Sequence, residues 1–151
     1  MKKFKFRLEK LEDSKRYLER QKALQLAEKV RLLDLEEKKL GALLADKERI
    51  QEEMKARSIF KALEMIHFWQ FLAKLKRSVD EQKKSVRQAR EAVEVARMEL
   101  LKISQEKKVL EKLHEKNYQA YLREFNREDQ KFVDEVATQS KAREKWKIQA
   151  G

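Results

Sequence analysis

The sequence predicts an all-α protein, a long two-helix antiparallel coiled-coil hairpin, and three observations carry that expectation. Its 151 residues include no proline, and Gly41 is the only glycine besides Gly151. Proline and glycine are the strongest punctuators of a chain, so one this free of them can be drawn only as a few long helices. Charged residues make up 43% and aromatics 8%, a bias that marks long helices and coiled coils. Apolar residues recur at seven-residue spacing, the period of helices that supercoil. Two such helices bury a narrow seam and enclose no substrate pocket, which weighs against an enzyme.

The first helix is expected over about residues 4–56 of a single domain spanning 1–151. Leu26, Leu33, Leu40 and Met54 stand in heptad phase with Lys47 filling the missing step, and Leu43 and Ile50 form a second row interrupted by Glu36. Leu8, Leu11 and Leu18 extend the stripe toward the N-terminus, where Lys15 and Lys22 weaken it. Gly41 is not read as the turn, because Leu40, Leu43 and Leu44 carry the stripe past it and a helical glycine costs only about 1 kcal/mol relative to alanine. The reversal is placed at about 57–61, where the heptads stop and Ser58 can cap a new helix. A continuous helix that dimerises in parallel is the alternative.

The second helix, about 62–145, carries the cleaner repeat. Val79, Val86, Val93 and Leu100 alternate with Ala89, Ala96, Ile103 and Leu110. After Leu110 the apolar row steps through His114 to Tyr118, which reads as a stutter that locally unwinds a supercoil. Beyond it the row turns aromatic. Tyr118, Leu122, Phe125, Phe132 and Val136 form a face with no partner in the shorter first helix. Either the N-terminal residues, including Phe4 and Phe6, fold over part of it, or it is an intermolecular contact face. A second patch, Phe68, Trp69, Phe71, Leu72 and Leu75, follows the turn and covers two adjacent helix faces, more than one partner helix covers.

Net charge is +11 and sits at the termini: residues 1–31 carry +6, residues 138–151 carry +3, and the rest +2. Such a field steers acidic partners. The aromatics follow a helix stripe rather than a stacking platform, so no nucleic-acid partner is expected. The opening Met1–Arg7 interleaves charge with apolar residues, unlike a signal peptide. The richest apolar stretch, Ile59 to Leu75, is interrupted by Lys61, Glu64, His67 and Lys74, so no membrane insertion is expected. A soluble, cytoplasmic protein is the expectation. Without cysteine there is no thiolate site, and His67 and His114 stand far apart. No catalytic residue, cofactor or metal is expected.

The stretch Phe125-Asn126-Arg127-Glu128-Asp129-Gln130-Lys131-Phe132-Val133-Asp134-Glu135-Val136-Ala137 resembles the Asn-Arg-x-Asp-Gln-Lys-x-x-Asp-Glu-x-Ala signature of the flagellar FliJ family. The Trp69-Gln70-Phe71 start of the second helix and the opening Phe4-x-Phe-Arg-Leu-Glu-Lys-Leu11 are similar to it as well. The resemblance implies a non-enzymatic component of the flagellar type III export apparatus, built as a coiled coil similar to the gamma-subunit stalk of rotary ATPases. It implies three partners: the hexameric export ATPase, the export gate protein in the membrane, and export chaperones, which it escorts. The gate-binding face would fall on Phe71, Leu75, Ser78 and Gln82, the last two polar in this chain. ATPase binding would fall on Arg127, Asp129, Gln130, Lys131, Asp134 and Glu135. A monomeric hairpin, peripherally associated with the inner membrane at the flagellar base, is the form expected. The rival reading is a structural coiled-coil spacer or scaffold without an ATPase partner.

Overall fold

A computed structural model describes residues 3–57 and 59–150 of the chain. Two helices pack against each other as a helical hairpin: α1, Glu9–Ala56, and α2, Ala62–Gln149. Glu9 and Glu12 occupy the first turn of α1 and Lys55 its last, each sign of charge meeting the end of the helix dipole that favours it. Gly41 lies inside α1 with ordinary helical backbone. Ser58, the expected cap of the second helix, lies outside the described residues. α2 runs on to Gln149, since nothing between Lys141 and Gln149 breaks a helix.

α1 begins at Glu9 and not near residue 4. The difference has a physical cause. Phe4 and Phe6 turn back onto α2, and the Glu9 amide donates to the Phe6 carbonyl at 3.3 Å. Burial of two aromatic rings outweighs one extra helical turn.

Contacts group the chain into two compact units, Tyr17–Ser104 and Met1–Arg16 with Gln105–Gly151. In the first unit the core is a file of side chains: Ile50 from α1 against Leu75, Val79, Val86 and Val93 from α2, all buried. Leu26, Leu33, Leu40, Leu43 and Met54 are half-buried in the same seam. Lys22 pairs with Glu99 at 2.7 Å, Arg90 with Glu37 at 2.8 Å, and Gln82 donates to both the carbonyl and the carboxylate of Glu36. From Lys22 with Glu99 to Glu36 with Gln82 and Glu37 with Arg90, the α1 partner moves forward along the chain while the α2 partner moves back, which is the antiparallel order.

In the second unit Lys15 pairs with Glu106 and Arg16 approaches Glu111 at 3.9 Å. The expected phase slip after Leu110 does not occur in the packing. Inward positions continue at regular spacing through Lys107, Leu110, His114 and Tyr121, while Tyr118 is exposed on the flank. Lys107, His114 and Tyr121 keep one row at seven-residue spacing, while Asn117, seven residues after Leu110 on the other, is exposed.

Candidate protein-interaction surfaces

Two regions hold the residues expected to meet partners. The first lies in the unit Tyr17–Ser104, at the turn between the helices. Phe60 packs edge-on against Phe68 with centroids 5.6 Å apart, and the Arg57 guanidinium lies 5.8 Å from the Phe60 ring. These contacts hold the connection without a glycine. Around them the chain exposes Ile59, Leu63, Met65, Ile66, Trp69 and Phe71. Exposed apolar side chains on more than one face of a helix, with His67, Gln70 and Lys74 as its polar stripe, mark a contact surface. Ile50, Glu53, His67, Phe68, Gln70, Phe71 and Lys74 line an open groove of ≈ 460 Å³ beside it.

Of the four candidate gate residues, Phe71 is 52% exposed whereas Leu75 is 8% exposed and belongs to the core. Ser78 is exposed. Gln82 is half-buried and its amide is committed to Glu36. Phe71 and Ser78 can therefore meet a partner directly, and Leu75 and Gln82 hold the helix that presents them. Lys39 donates to the same Glu36 carboxylate at 2.8 Å. The bonds from Lys39 and Gln82 hold its pKa below the usual value against a smaller desolvation effect.

The second region lies in the other unit. Phe6 is buried and stacks face to face on His114, centroids 4.4 Å apart. Phe4 meets His114, Tyr118 and Tyr121 at 5.7, 5.3 and 5.5 Å. Behind this aromatic cluster Glu12 is only 4% exposed. Its carboxylate accepts from Arg16 at 2.7 Å and faces His114 Nδ1 at 2.8 Å. The N-terminal segment thus covers the aromatic row as far as Tyr121, and Leu122 is half-buried. Beyond it every described side chain of α2 is exposed, Phe125, Phe132 and Val136 among them.

The candidate ATPase-binding residues occupy this exposed stretch. Arg127, Gln130, Lys131, Asp134 and Glu135 share one face by helical spacing, and Gln130 donates to Asp134 at 3.0 Å. Asp129 falls on the opposite face, four residues after Phe125 and three before Phe132. Polar and apolar faces therefore run back to back along a helix with no partner among the described residues.

Chain-wide comparison settles the family. The family model for the flagellar FliJ protein matches residues 4–145. This chain belongs to the FliJ family. The match takes in the aromatic N-terminal segment, both helices and the exposed stretch of α2. A FliJ-family chain is a flagellar export-related coiled-coil protein. No curated protein and no solved structure matches the chain. Among the described residues no helix is long and apolar enough to cross a membrane, and no group of His, Asp and Glu is placed to hold a metal.

Two features of this FliJ-family chain escape a reading by apolar spacing. One is the full polar content of the seam: beyond Lys15, Lys22, Glu36 and His114, which stand on the expected rows, Glu12 and Lys107 also face inward. Extending the regular three-and-four spacing through polar residues finds them. The other is the exposure of Val95, Met98, Leu101, Val109 and Leu113 on α2 outside the seam. Their signal is a second apolar row, which heptad searches pass over because they keep only one.

Proposed function

We propose that the chain is a non-enzymatic stalk of the flagellar type III protein export apparatus, binding the export ATPase hexamer and the export gate and escorting export chaperones. The observation that carries this reading is the stretch of α2 beyond Leu122, which is exposed on every face yet keeps an apolar row and an ordered polar face. A helix of this kind gains stability from a partner that encloses it, and a ring of subunits encloses a helix on all sides. Arg127, Gln130, Lys131, Asp134 and Glu135 supply the polar contacts, and Asp129 sits among the apolar ones. The Phe71 face serves the gate. Its place of work is the flagellar base, at the inner membrane.

The test mixes the chain with a flagellar export ATPase and follows oligomerisation and turnover. The reading expects both to rise, and expects Phe132→Ala with Val136→Ala to abolish the effect while helicity is kept. If neither oligomerisation nor turnover responds, the stalk role is wrong and a coiled-coil spacer without an ATPase partner takes its place.

A further inference from the structure

We propose that the outer face of α2 between Lys108 and Arg123 is a docking surface for an acidic amphipathic helix of another protein. The surface lies within the unit Met1–Arg16 with Gln105–Gly151. It is distinct from the Phe71 face and from the candidate ATPase-binding residues Arg127 to Glu135.

The first observation is electrostatic. Lys108, Lys112 and Lys116 follow one another at steps of four, and Arg123 extends the ridge one heptad beyond Lys116. All four are exposed, and none has an ion pair among the described residues. Like charges four apart on a helix repel and destabilise it. Ion pairs relieve such repulsion at Arg90, which reaches Glu37, and at Arg97, which reaches Glu94, while Lys83 with Arg87 and Arg127 with Lys131 are further exposed like-charge pairs without one among the described residues. Glu111 and Glu115 follow Lys108 and Lys112 at three residues without pairing to them, and Glu115 is the one carboxylate lining a groove of ≈ 420 Å³ along Lys112, Lys116 and Arg123. What sets this cationic ridge apart is the groove it lines and the apolar side chains beside it.

The second observation is the apolar row beside the ridge. Val109 is 65% exposed, and Leu113, one turn on and 37% exposed, lies between it and the edge of the seam. Cationic and apolar rows running parallel along a helix match the surface of a second helix that carries leucines flanked by glutamates. The apolar row excludes a phosphate backbone as the preferred ligand, because phosphate contacts need only the lysines and bases need aromatic platforms. It is also too narrow for a bilayer, into which an interfacial helix buries a broad apolar face.

The experiment uses the full chain and a fluorescently labelled synthetic helix of about 20 residues, leucines at steps of three and four with glutamates on both flanks. Anisotropy at physiological salt is expected to show saturable binding. Lys112→Glu with Lys116→Glu should weaken it at least about tenfold, and so should Val109→Ser with Leu113→Ser; circular dichroism should stay unchanged. A peptide with lysine in place of glutamate should bind the charge-reversed variant and not the parent chain. Absence of binding overturns the proposal, and so does binding indifferent to either double substitution. Equal binding of polyglutamate or of duplex DNA also overturns it, since charge alone then accounts for the surface. Should a variant lose helicity, the charge-swapped peptide against single Lys112→Glu decides in its place.

Discussion

At the scale of single residues, the most constrained group is the Glu12 carboxylate. It is buried, and Arg16 and His114 are its partners. No buried side-chain nitrogen or oxygen among the described residues lacks a partner, so the polar seam is complete as built. Removing one member leaves the others short. Glu12→Ala should cost about 1–2 kcal/mol, the range for hydrogen bonds to charged groups discounted for the half-exposed Arg16. Urea unfolding followed by circular dichroism measures it; an unchanged midpoint would show that the carboxylate contributes nothing. Glu36 makes a different prediction, in pH. Its pKa is lowered in the folded chain by hydrogen bonds from Lys39 and Gln82, so folding favours the ionised form. That contribution is present above the ordinary glutamate range and fades as pH falls through the lower, folded value. The parent and Glu36→Gln should therefore differ in urea midpoint at neutral pH and converge in acid, once the pH has fallen below the lowered, folded value. A gap that persists there would rule out ionisation as its source.

At the scale of elements, the helices were legible in the sequence because nothing interrupts them. Val79, Val86 and Val93 are spaced for a seam and are buried in one. What was not legible were places where polar side chains do an apolar residue's job. Lys107 keeps its inward place though charged, with Glu111 at 3.8 Å one turn on, and His114 stacks on Phe6, a contact with a residue distant in sequence. The sites were legible in the same uneven way. Phe71 reads as a surface residue and is one, but Leu75 has the same chemistry and lies in the core, and only the helix phase separates them. Phe71→Ala should leave the unfolding midpoint nearly unchanged, whereas Leu75→Ala should cost about 2–3 kcal/mol, the lower part of the range for core truncation because the seam is shallow. Equal effects on stability would show that the two side chains share one environment. Gly41 gives the opposite sign. It lies inside α1 with negative φ, and a Cβ there meets no atom within 4 Å. Gly41→Ala should therefore stabilise the fold by about 0.5–1 kcal/mol, through helix propensity and a less flexible unfolded chain.

At the scale of the whole molecule, structure and stability part company. Every residue in the core precedes Leu113, the last of them Leu110, and the described side chains beyond Leu122 are all exposed. The family match nevertheless continues to residue 145. On the proposed stalk reading, a stretch whose described side chains are all exposed and which still lies within the family match serves recognition and not folding. A chain ending at Arg123 should accordingly unfold at nearly the same urea concentration as the full chain. Its helical signal should fall only by the residues removed, since their loss takes away exposed turns and the Tyr121–Phe125 ring contact alone. On the proposed stalk reading, the same truncation should abolish any stimulation of the export ATPase, and light scattering of both chains should give the monomer, 18.2 kDa for the full length. A truncated chain that unfolds much earlier would assign the stretch a structural role. One that is stable and still stimulates the ATPase would move the contact back toward the Phe4–Tyr121 cluster, where the N-terminal segment would then have to yield to the partner.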